Sequence, residues 1–245
     1  MCGRYATTQT SASLNAAFEI DLANSFVELE ADYNMAPTKL APILIGRAPE
    51  SSADRPLREL ITAKWGLIPS WAKDESIGNR MINARSETLA EKPAFKKAFG
   101  KRRALIPADG YFEWYAREPV DGRKAPKQPF YITPKDGSVL AMAGLYEFWK
   151  NRDDDEWVIS YTIITTTAED ELGHVHDRMP LFVEPDGYDA WLDPAPHPTG
   201  QLMELLTPAA PGRLDAFPVS TEVNNVKNNG PELIVPLPPE GPLSE

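Results

Sequence analysis

The sequence is poor in the residues that staple small proteins together. Its single cysteine cannot form a disulfide within the chain, and with three histidines the thiol and imidazole ligands of a structural zinc site are scarce. With 245 residues, 42% of them hydrophobic, the chain is long enough to fold around an ordinary apolar core. We therefore expect a fold that uses neither disulfides nor metal, and we expect no cofactor.

Long apolar runs are also lacking. No stretch reaches the roughly 20 uninterrupted apolar residues that span a bilayer, and the N-terminal MCGRYATTQT has no secretory signal pattern. We expect a cytoplasmic protein that acts as a monomer. The net charge of −11 argues against a protein that coats nucleic acid through its overall field, so any contact with nucleic acid has to be local.

Twenty-four prolines and fifteen glycines divide the sequence into short elements, which favours many strands over long helices. The strand patterns predict a substantial antiparallel sheet. They lie at residues 104–106, 111–115, 139–148 and 157–166. Shorter helical patterns lie at residues 11–20 and 200–206, and a third helix is predicted to begin at Pro93 with Gly100 as its C-terminal cap. The acidic run 153–156 is expected to be a solvated hairpin loop.

Residue 2 is the first candidate for chemistry. If Met1 is removed, Cys2 carries both a free α-amino group, with a pKa of about 7.7 to 8.0, and a thiol with a pKa of about 8.5. An amine and a thiol on one residue can trap an aldehyde as an imine and then close it to a five-membered thiazolidine. The alternative is that Cys2 is a small buried hydrophobe, the usual role of a lone cysteine.

Three further segments contain candidate catalytic groups. Polar residues interrupt apolar ones in RMINARSET, residues 80–88, where Ser86 and Glu87 could equally be a simple helix start. In PADGYFEW, residues 107–114, aromatic neighbours would raise the pKa of Glu113, unless strand alternation turns its carboxylate to solvent. In HVHDRMP, residues 174–180, a histidine suits proton transfer near neutral pH, with metal binding or a structural hydrogen bond as the alternatives.

Two features bear on a nucleic-acid partner. Trp65 and Trp71 flank a proline turn, and exposed rings stack on unpaired bases for about 1 to 3 kcal/mol each, although buried tryptophans are commoner. A basic strip within the acidic chain suits contact with phosphates, although a solvated helix face has the same composition. The strip comprises Lys92, Lys96, Lys97, Lys101, Arg102 and Arg103.

Seven motifs occur in order from residue 1 to about residue 236: MCGRY, YNMAPT, KWGLIPSW, MINARSET, PADGYFEW, HDRMP and VNNVKNNGPELIVP. Together they strongly resemble the SRAP family, the SOS response-associated peptidases. The resemblance implies one α+β domain, residues 1–236, built on antiparallel barrel-like β-sheets with short flanking helices. The proline-rich composition of the remaining residues, 237–245, predicts a flexible tail. The resemblance also implies shielding of abasic sites in single-stranded DNA through a covalent link, and removal of Met1 by self-cleavage or by an aminopeptidase.

The resemblance assigns four catalytic residues by their positions in these motifs. Cys2 would be the linking residue, and Asn83 would orient the nucleophile and the sugar aldehyde. Glu113 would act as general acid and base for imine formation and ring closure. His176 would help to open the deoxyribose ring and would assist reversal.

The resemblance also assigns residues that would contact DNA. Three arginines would bind phosphates: Arg4, Arg85 and Arg178. Four further residues would lie near the strand: Asn34, Pro37, Thr165 and Trp71, the last wedged against bases. The family often has a second aromatic residue after the position of Trp71, and Ala72 stands there instead, which reduces the expected stacking. Residues 116–128 are expected to form an extended surface loop.

Two other functions stay open at this point. An N-terminal-cysteine amidohydrolase or peptidase without a DNA substrate explains Cys2 equally well, but it requires neither the basic strip nor the tryptophan turn. A non-catalytic single-strand binding module predicts salt-dependent binding without any covalent product.

Overall fold

The computed structural model describes residues 2–23, 30–48, 55–116, 126–152, 154–168 and 177–238. Within these ranges the strands are β1 Tyr5–Thr7, β2 Leu22–Ala23, β3 Asp32–Met35, β4 Leu40–Arg47, β5 Leu57–Trp65, β6 Asn83–Arg85, β7 Arg103–Ala108, β8 Gly110–Tyr115, β9 Gln128–Pro134, β10 Leu140–Lys150, β11 Trp157–Thr167, β12 Arg178–Pro180 and β13 Leu214–Pro218. The α-helices are α1 Ser11–Phe18, α2 Pro93–Lys101, α3 Tyr188–Leu192 and α4 Thr199–Glu204.

Five of the strands close into a mixed barrel. β11, β10, β7, β4 and β5 are antiparallel neighbours in that order, and parallel pairing of β5 with β11 completes the ring. Alternate side chains fill its interior, including Ile43, Ile106, Met142 and Tyr161. The short strand β6 adds to β11 in parallel, beside the ring. The expected α+β fold with barrel-like sheets is confirmed.

A second, five-stranded antiparallel sheet has the order β13-β9-β8-β1-β3. One of its faces joins the barrel cluster through Tyr5 and Tyr111. Its other face packs against the C-terminal segment, where Phe112 contacts a cluster that includes Val219 and Val223. Both faces of this sheet are therefore covered. All three residues of β1 and the first four residues of β8 are buried.

The predicted strands are all present as β7, β8, β10 and β11, and the residues of the acidic run that the structure describes are exposed between β10 and β11. Gly100 as a helix cap is wrong, because it lies in the last turn of α2 and Arg102 follows as the cap. Gly100 does not have the positive φ that a glycine adopts when it terminates a helix, so the chain continues in the helix through Lys101.

Only four members of the basic strip face solvent. The lysines of α2 are exposed because Phe95 and Phe99 turn the other side of the helix inward. Arg102 instead binds Glu147 at 2.6 Å. Arg103 is buried and donates to the carbonyls of Phe99 and Trp191. The two arginines therefore hold helix ends against the barrel, and a phosphate-binding strip would consist of lysines alone.

Some expectations fall outside the described residues. These include residues 117–125 of the expected loop 116–128, whose last residue, Gln128, begins β9, and residues 239–245 of the expected tail 237–245. The domain limits and the flexible tail therefore stay predictions. Among the helices of the described ranges, none has the length and apolar character needed to cross a membrane.

Because β8 lies close to β9, alanine substitutions at Gly110 and Gly100 should have opposite effects on stability. A Cβ on Gly110 would lie 2.5 Å from the Ile132 carbonyl oxygen and 2.5 Å from the Tyr131 ring. Because the carbonyl belongs to the neighbouring backbone, we expect Gly110→Ala to lower the free energy of unfolding by about 1 to 3 kcal/mol. A Cβ on Gly100 meets nothing within 4 Å, so Gly100→Ala should raise it by about 0.5 to 1 kcal/mol. Urea titrations measure both changes, and shifts of the same sign would contradict this packing.

Candidate active site

The pairing of β1 with β8 brings the start of the chain beside Glu113. Tyr5 pairs antiparallel with Tyr111, and a further backbone hydrogen bond of 2.9 Å continues the ladder toward the N-terminus. In this register Gly3 lies opposite Glu113. The side chains of Tyr111 and Glu113 share one face of β8, and Tyr111 packs in the same cluster as Cys2. Residue 2 and the carboxyl group are therefore neighbours.

Glu113 is buried rather than exposed to solvent, with 3% of its surface accessible. Phe112 and Trp114 do share the opposite face of β8, as strand alternation requires, but that face is covered as well. Burial raises the pKa of Glu113 to about 7, because it disfavours the charged form of the carboxyl group. Near neutral pH the carboxyl group is thus present in both its acid and its base form.

Cys2 is fully buried, and it is held by Asn83. The side-chain Nδ2 of Asn83 donates a hydrogen bond of 2.8 Å to the Cys2 carbonyl oxygen. The amide oxygen of Asn83 is buried and has no hydrogen-bond partner among the described residues. Burial, and then the negative charge of Glu113, raise the pKa of the Cys2 thiol well above its usual value. The sulfur is therefore held as a thiol in this environment, next to the two groups assigned to its chemistry.

Aromatic residues support this corner from inside the barrel. The indole Nε1 of Trp65 donates to the Ile82 carbonyl over 2.9 Å. The Trp65 ring lies 5.1 Å from that of Tyr5, measured between centroids. The hydroxyl groups of Tyr5 and Tyr161 are 2.7 Å apart. The residue patterns alone did not separate Trp65 from Trp71, although the family resemblance assigned the contact with bases to Trp71.

Arg85, Thr165 and Arg178 form a second group. β6 pairs with β11 so that Arg85 lies beside Thr165, and Arg85 is exposed on the side of β6 that also carries Asn83. Arg178 donates to Glu87 at 2.6 and 3.1 Å and to the Thr165 carbonyl at 2.7 Å. The hydrogen bond from Arg178 lowers the pKa of Glu87. The sequence interpretation of Glu87 as part of a helix start missed this ion pair.

Arg4 and Asn34 lie together on the other face of the five-stranded sheet. Arg4 donates to the Asn34 side-chain oxygen at 2.6 Å and to the Val223 carbonyl at 2.8 Å, and its guanidinium lies 5.6 Å from the Trp114 ring centroid. Asn34 is fully buried and donates to three backbone carbonyls, of Val223, Asn225 and Asn228. The Asn34 side chain therefore anchors the C-terminal segment. It would affect a ligand of Arg4 only indirectly, by holding the guanidinium in place.

The two tryptophans of KWGLIPSW have opposite environments. Trp65 is core, whereas Trp71 is 56% exposed at the turn after β5. Ala72 is buried and packs with Ile68 and Trp149, and Trp149 donates to its carbonyl. An aromatic side chain at position 72 would therefore have to displace this small cluster. Pro37 is half-buried in the turn between β3 and β4.

His174 and His176 lie outside the described residues, as does Met1. The assigned role of His176 stays a prediction. Among the residues that the structure does describe, no group of three or more histidine, cysteine, aspartate or glutamate side chains could hold a metal ion.

The fold combines a closed barrel with a second sheet that is covered on both faces. The site combines a cysteine at residue 2 with a buried carboxyl group. A sequence profile of the family "SOS response associated peptidase (SRAP)" matches residues 1–226, and the chain belongs to this family. Abasic site processing protein YoqW of Bacillus subtilis (strain 168) is 38% identical over 234 residues, which cover 96% of this chain and 99% of that protein.

Two further comparisons agree with this membership. Abasic site processing protein HMCES of Gallus gallus is 33% identical over 229 residues, covering 84% of this chain and 66% of that protein. The crystal structure of a protein from Bacteroides thetaiotaomicron superposes with a TM-score of 0.79 at 27% identity, covering 96% of this chain and 100% of that one.

The raised pKa of Glu113 predicts a pH-dependent stability. An exposed glutamate titrates near 4.3, so the folded chain holds the Glu113 proton more tightly than the unfolded chain does. This contribution is complete below the unfolded pKa and is lost as the pH rises through about 7. Between about pH 4 and pH 8, we expect the free energy of unfolding of the wild type to fall by roughly 3 kcal/mol relative to that of Glu113→Gln. Urea titrations across this range measure the difference, and parallel curves for the two proteins would contradict it.

Proposed function

We propose that the protein processes abasic sites in single-stranded DNA by forming a covalent link between Cys2, freed of Met1, and the aldehyde of the open deoxyribose. The observation that carries the proposal is the hydrogen bond from Asn83 to residue 2, with Glu113 beside it. Relatives that are called abasic site processing proteins support the choice of substrate.

The proposed reaction has two bond-forming steps. The neutral α-amine of Cys2 adds to C1′ of the sugar aldehyde, and the resulting carbinolamine loses water to give an iminium ion. The Cys2 sulfur then adds to the same carbon, while its proton passes to a base. The product is a thiazolidine, and one water molecule is released for each link. Holding the amine, thiol and aldehyde in one cleft replaces bimolecular encounters with internal steps.

Glu113 is suited to both proton transfers in this sequence. Loss of water from the carbinolamine needs an acid, and removal of the thiol proton needs a base. With a pKa of about 7, one carboxyl group can serve in turn as each. The buried thiol resists ionisation, but the positive charge of an iminium ion next to the sulfur favours the thiolate. The thiol is therefore activated after the aldehyde has reacted.

Asn83 and the arginines have separate tasks in the proposal. The amide oxygen of Asn83, which has no hydrogen-bond partner in the described part of the chain, can accept a hydrogen bond from the amine or from a sugar hydroxyl, which would orient the reacting groups. Arg85, exposed on the same side of β6, would bind a phosphate close to the lesion. Arg4 and Arg178 would bind further phosphates, with Thr165 supporting Arg178.

Other proposed features rest on exposure and on composition. Trp71 would stack on a base next to the gap, since its ring is more than half exposed. Asn34 would act through Arg4, and Pro37 would shape the turn that faces the strand. His176 would assist ring opening and reversal. We further propose that the protein works in the cytoplasm as a monomer and needs neither metal nor cofactor.

Cys2→Ala tests the identity of the covalent bond. A mature wild-type chain without Met1 should give a heat-stable adduct with a single-stranded oligonucleotide that contains an abasic site. Cys2→Ala keeps the amine but lacks the thiol, so it should yield at most an imine that heat destroys. Intact mass and a denaturing gel with abasic and intact oligonucleotides measure both products.

The same gel separates the other functions. Equal yields of stable adduct from both proteins would exclude the thiazolidine. Cleavage of a peptide without any preference for abasic DNA would favour the amidohydrolase, and binding without a covalent product would favour a binding module.

Glu113→Gln tests the acid and base role. The glutamine has nearly the same shape but cannot exchange a proton, so we expect adduct formation at pH 7 to slow on the order of a hundredfold. Affinity for the strand should stay within about twofold, because the group carries no contact with phosphate in this assignment. Rates at saturating DNA from pH 5.5 to 8.5, with fluorescence anisotropy for binding, measure the two effects.

Glu147→Gln is a matched control, since Glu147 is also buried but pairs with Arg102 away from residue 2. It should react at the wild-type rate. A large loss of affinity with unchanged chemistry in Glu113→Gln would reverse the assignment.

A further inference from the structure

Trp65 joins three parts of the site that come from distant places in the sequence. Its side chain is fully buried at the end of β5. Its ring packs on Tyr5, three residues after Cys2, and lies parallel to that of Tyr161 at an angle of 11°. Its indole nitrogen donates to the carbonyl of Ile82, which directly precedes Asn83.

The Ile82 carbonyl is held at two points. It accepts from Trp65 Nε1 at 2.9 Å and from the backbone nitrogen of Ile163 at 3.1 Å. Because the peptide unit is planar, the orientation of this carbonyl also determines the position of the nitrogen and Cα of Asn83. The Asn83 side chain then reaches the Cys2 carbonyl at 2.8 Å. One rigid peptide plane thus connects the indole to the residue that contacts Cys2.

We propose that Trp65 is a positioning residue for the reaction at residue 2: its indole N–H holds the Ile82–Asn83 peptide and so sets the Asn83 amide against Cys2. This inference rests on the proposed function. In that mechanism Trp65 forms no bond with the reacting groups and exchanges no proton with them, and it acts through Asn83. A displacement of about 1 Å in a group that orients reactants can cost on the order of a hundredfold in rate, so a remote hydrogen bond can matter.

A purely structural role for Trp65 makes a different prediction, and the chain contains a matched control. Trp191 is also fully buried, and its Nε1 also donates to a backbone carbonyl, that of Ala104, at 2.9 Å. It belongs to a different apolar cluster from Trp65 and Cys2. Replacing either indole by phenylalanine removes the same hydrogen bond and leaves a similar cavity.

The experiment measures adduct formation on abasic single-stranded DNA, together with strand affinity and urea stability, for Trp65→Phe and Trp191→Phe. Both should lose stability to a similar degree, and both should bind the strand within about twofold of the wild type. At saturating DNA, Trp65→Phe should react about tenfold or more slowly, while Trp191→Phe should react at the wild-type rate.

A double-mutant cycle with Asn83→Ala identifies the route of the effect. If Trp65 acts through Asn83, adding Trp65→Phe to Asn83→Ala should slow the reaction by less than about twofold more. Losses that multiply in the double variant would overturn the inference, as would equal rates for Trp65→Phe and Trp191→Phe.

A second variant and the wild-type control make the experiment conclusive. If Trp65→Phe does not fold, benzothienylalanine at position 65 retains the shape of the indole and lacks its N–H, and the same loss of rate is expected. An unchanged rate for that protein overturns the inference alone. A wild type that forms no adduct overturns the proposed function, and this inference with it.

Discussion

The antiparallel pairing of β1 with β8 is the constraint on which the rest of the structure depends. The first residues of a chain usually fray unless something ties them down. Here three residues of β1 lie in the middle of a sheet, between β8 and β3. Asp109 secures their far end by accepting from the backbone of Thr8 at 2.6 Å and from Gln9. The hydrogen bond from Asn83 to Cys2 secures the near end, so the start of the chain is a structural element rather than a loose end.

Covering both faces of that sheet raises the pKa of both groups it brings together, with different consequences for their reactivity. Desolvation moves the pKa of Glu113 up toward neutrality, which suits exchange of protons. The same desolvation makes the Cys2 thiol harder to ionise. Both pKa shifts are compatible with the proposed mechanism, in which the amine reacts first. The positive charge of the iminium ion then stabilises the Cys2 thiolate, which the apolar surroundings do not.

Local patterns in the sequence predicted the parts of the fold that depend on local interactions. Runs of strand-forming residues located β7, β8, β10 and β11, and Pro93 located the start of α2. Strand alternation put Glu113 on the face of β8 opposite Phe112. No sequence pattern could tell that both faces are covered, the Glu113 face by the barrel and the Phe112 face by the C-terminal segment. Gly100 was misjudged for a similar reason, because a cap depends on the direction the chain takes next. The distinction between Trp65 and Trp71 likewise depends on contacts across 17 residues, to Ile82.

The distribution of charge shows how an acidic chain can still meet a polyanion. With a net charge of −11, the overall field of the chain repels a polyanion, so the proposed DNA contacts depend on arginines that are already held in place. Arg4 is held by Asn34 and Val223, and Arg178 by Thr165 and Glu87. Side chains fixed in this way lose little entropy when a phosphate binds, although Glu87 then competes with that phosphate for Arg178. Under the proposed function, such a surface would favour a DNA strand that also gains a covalent bond over one that offers phosphates alone.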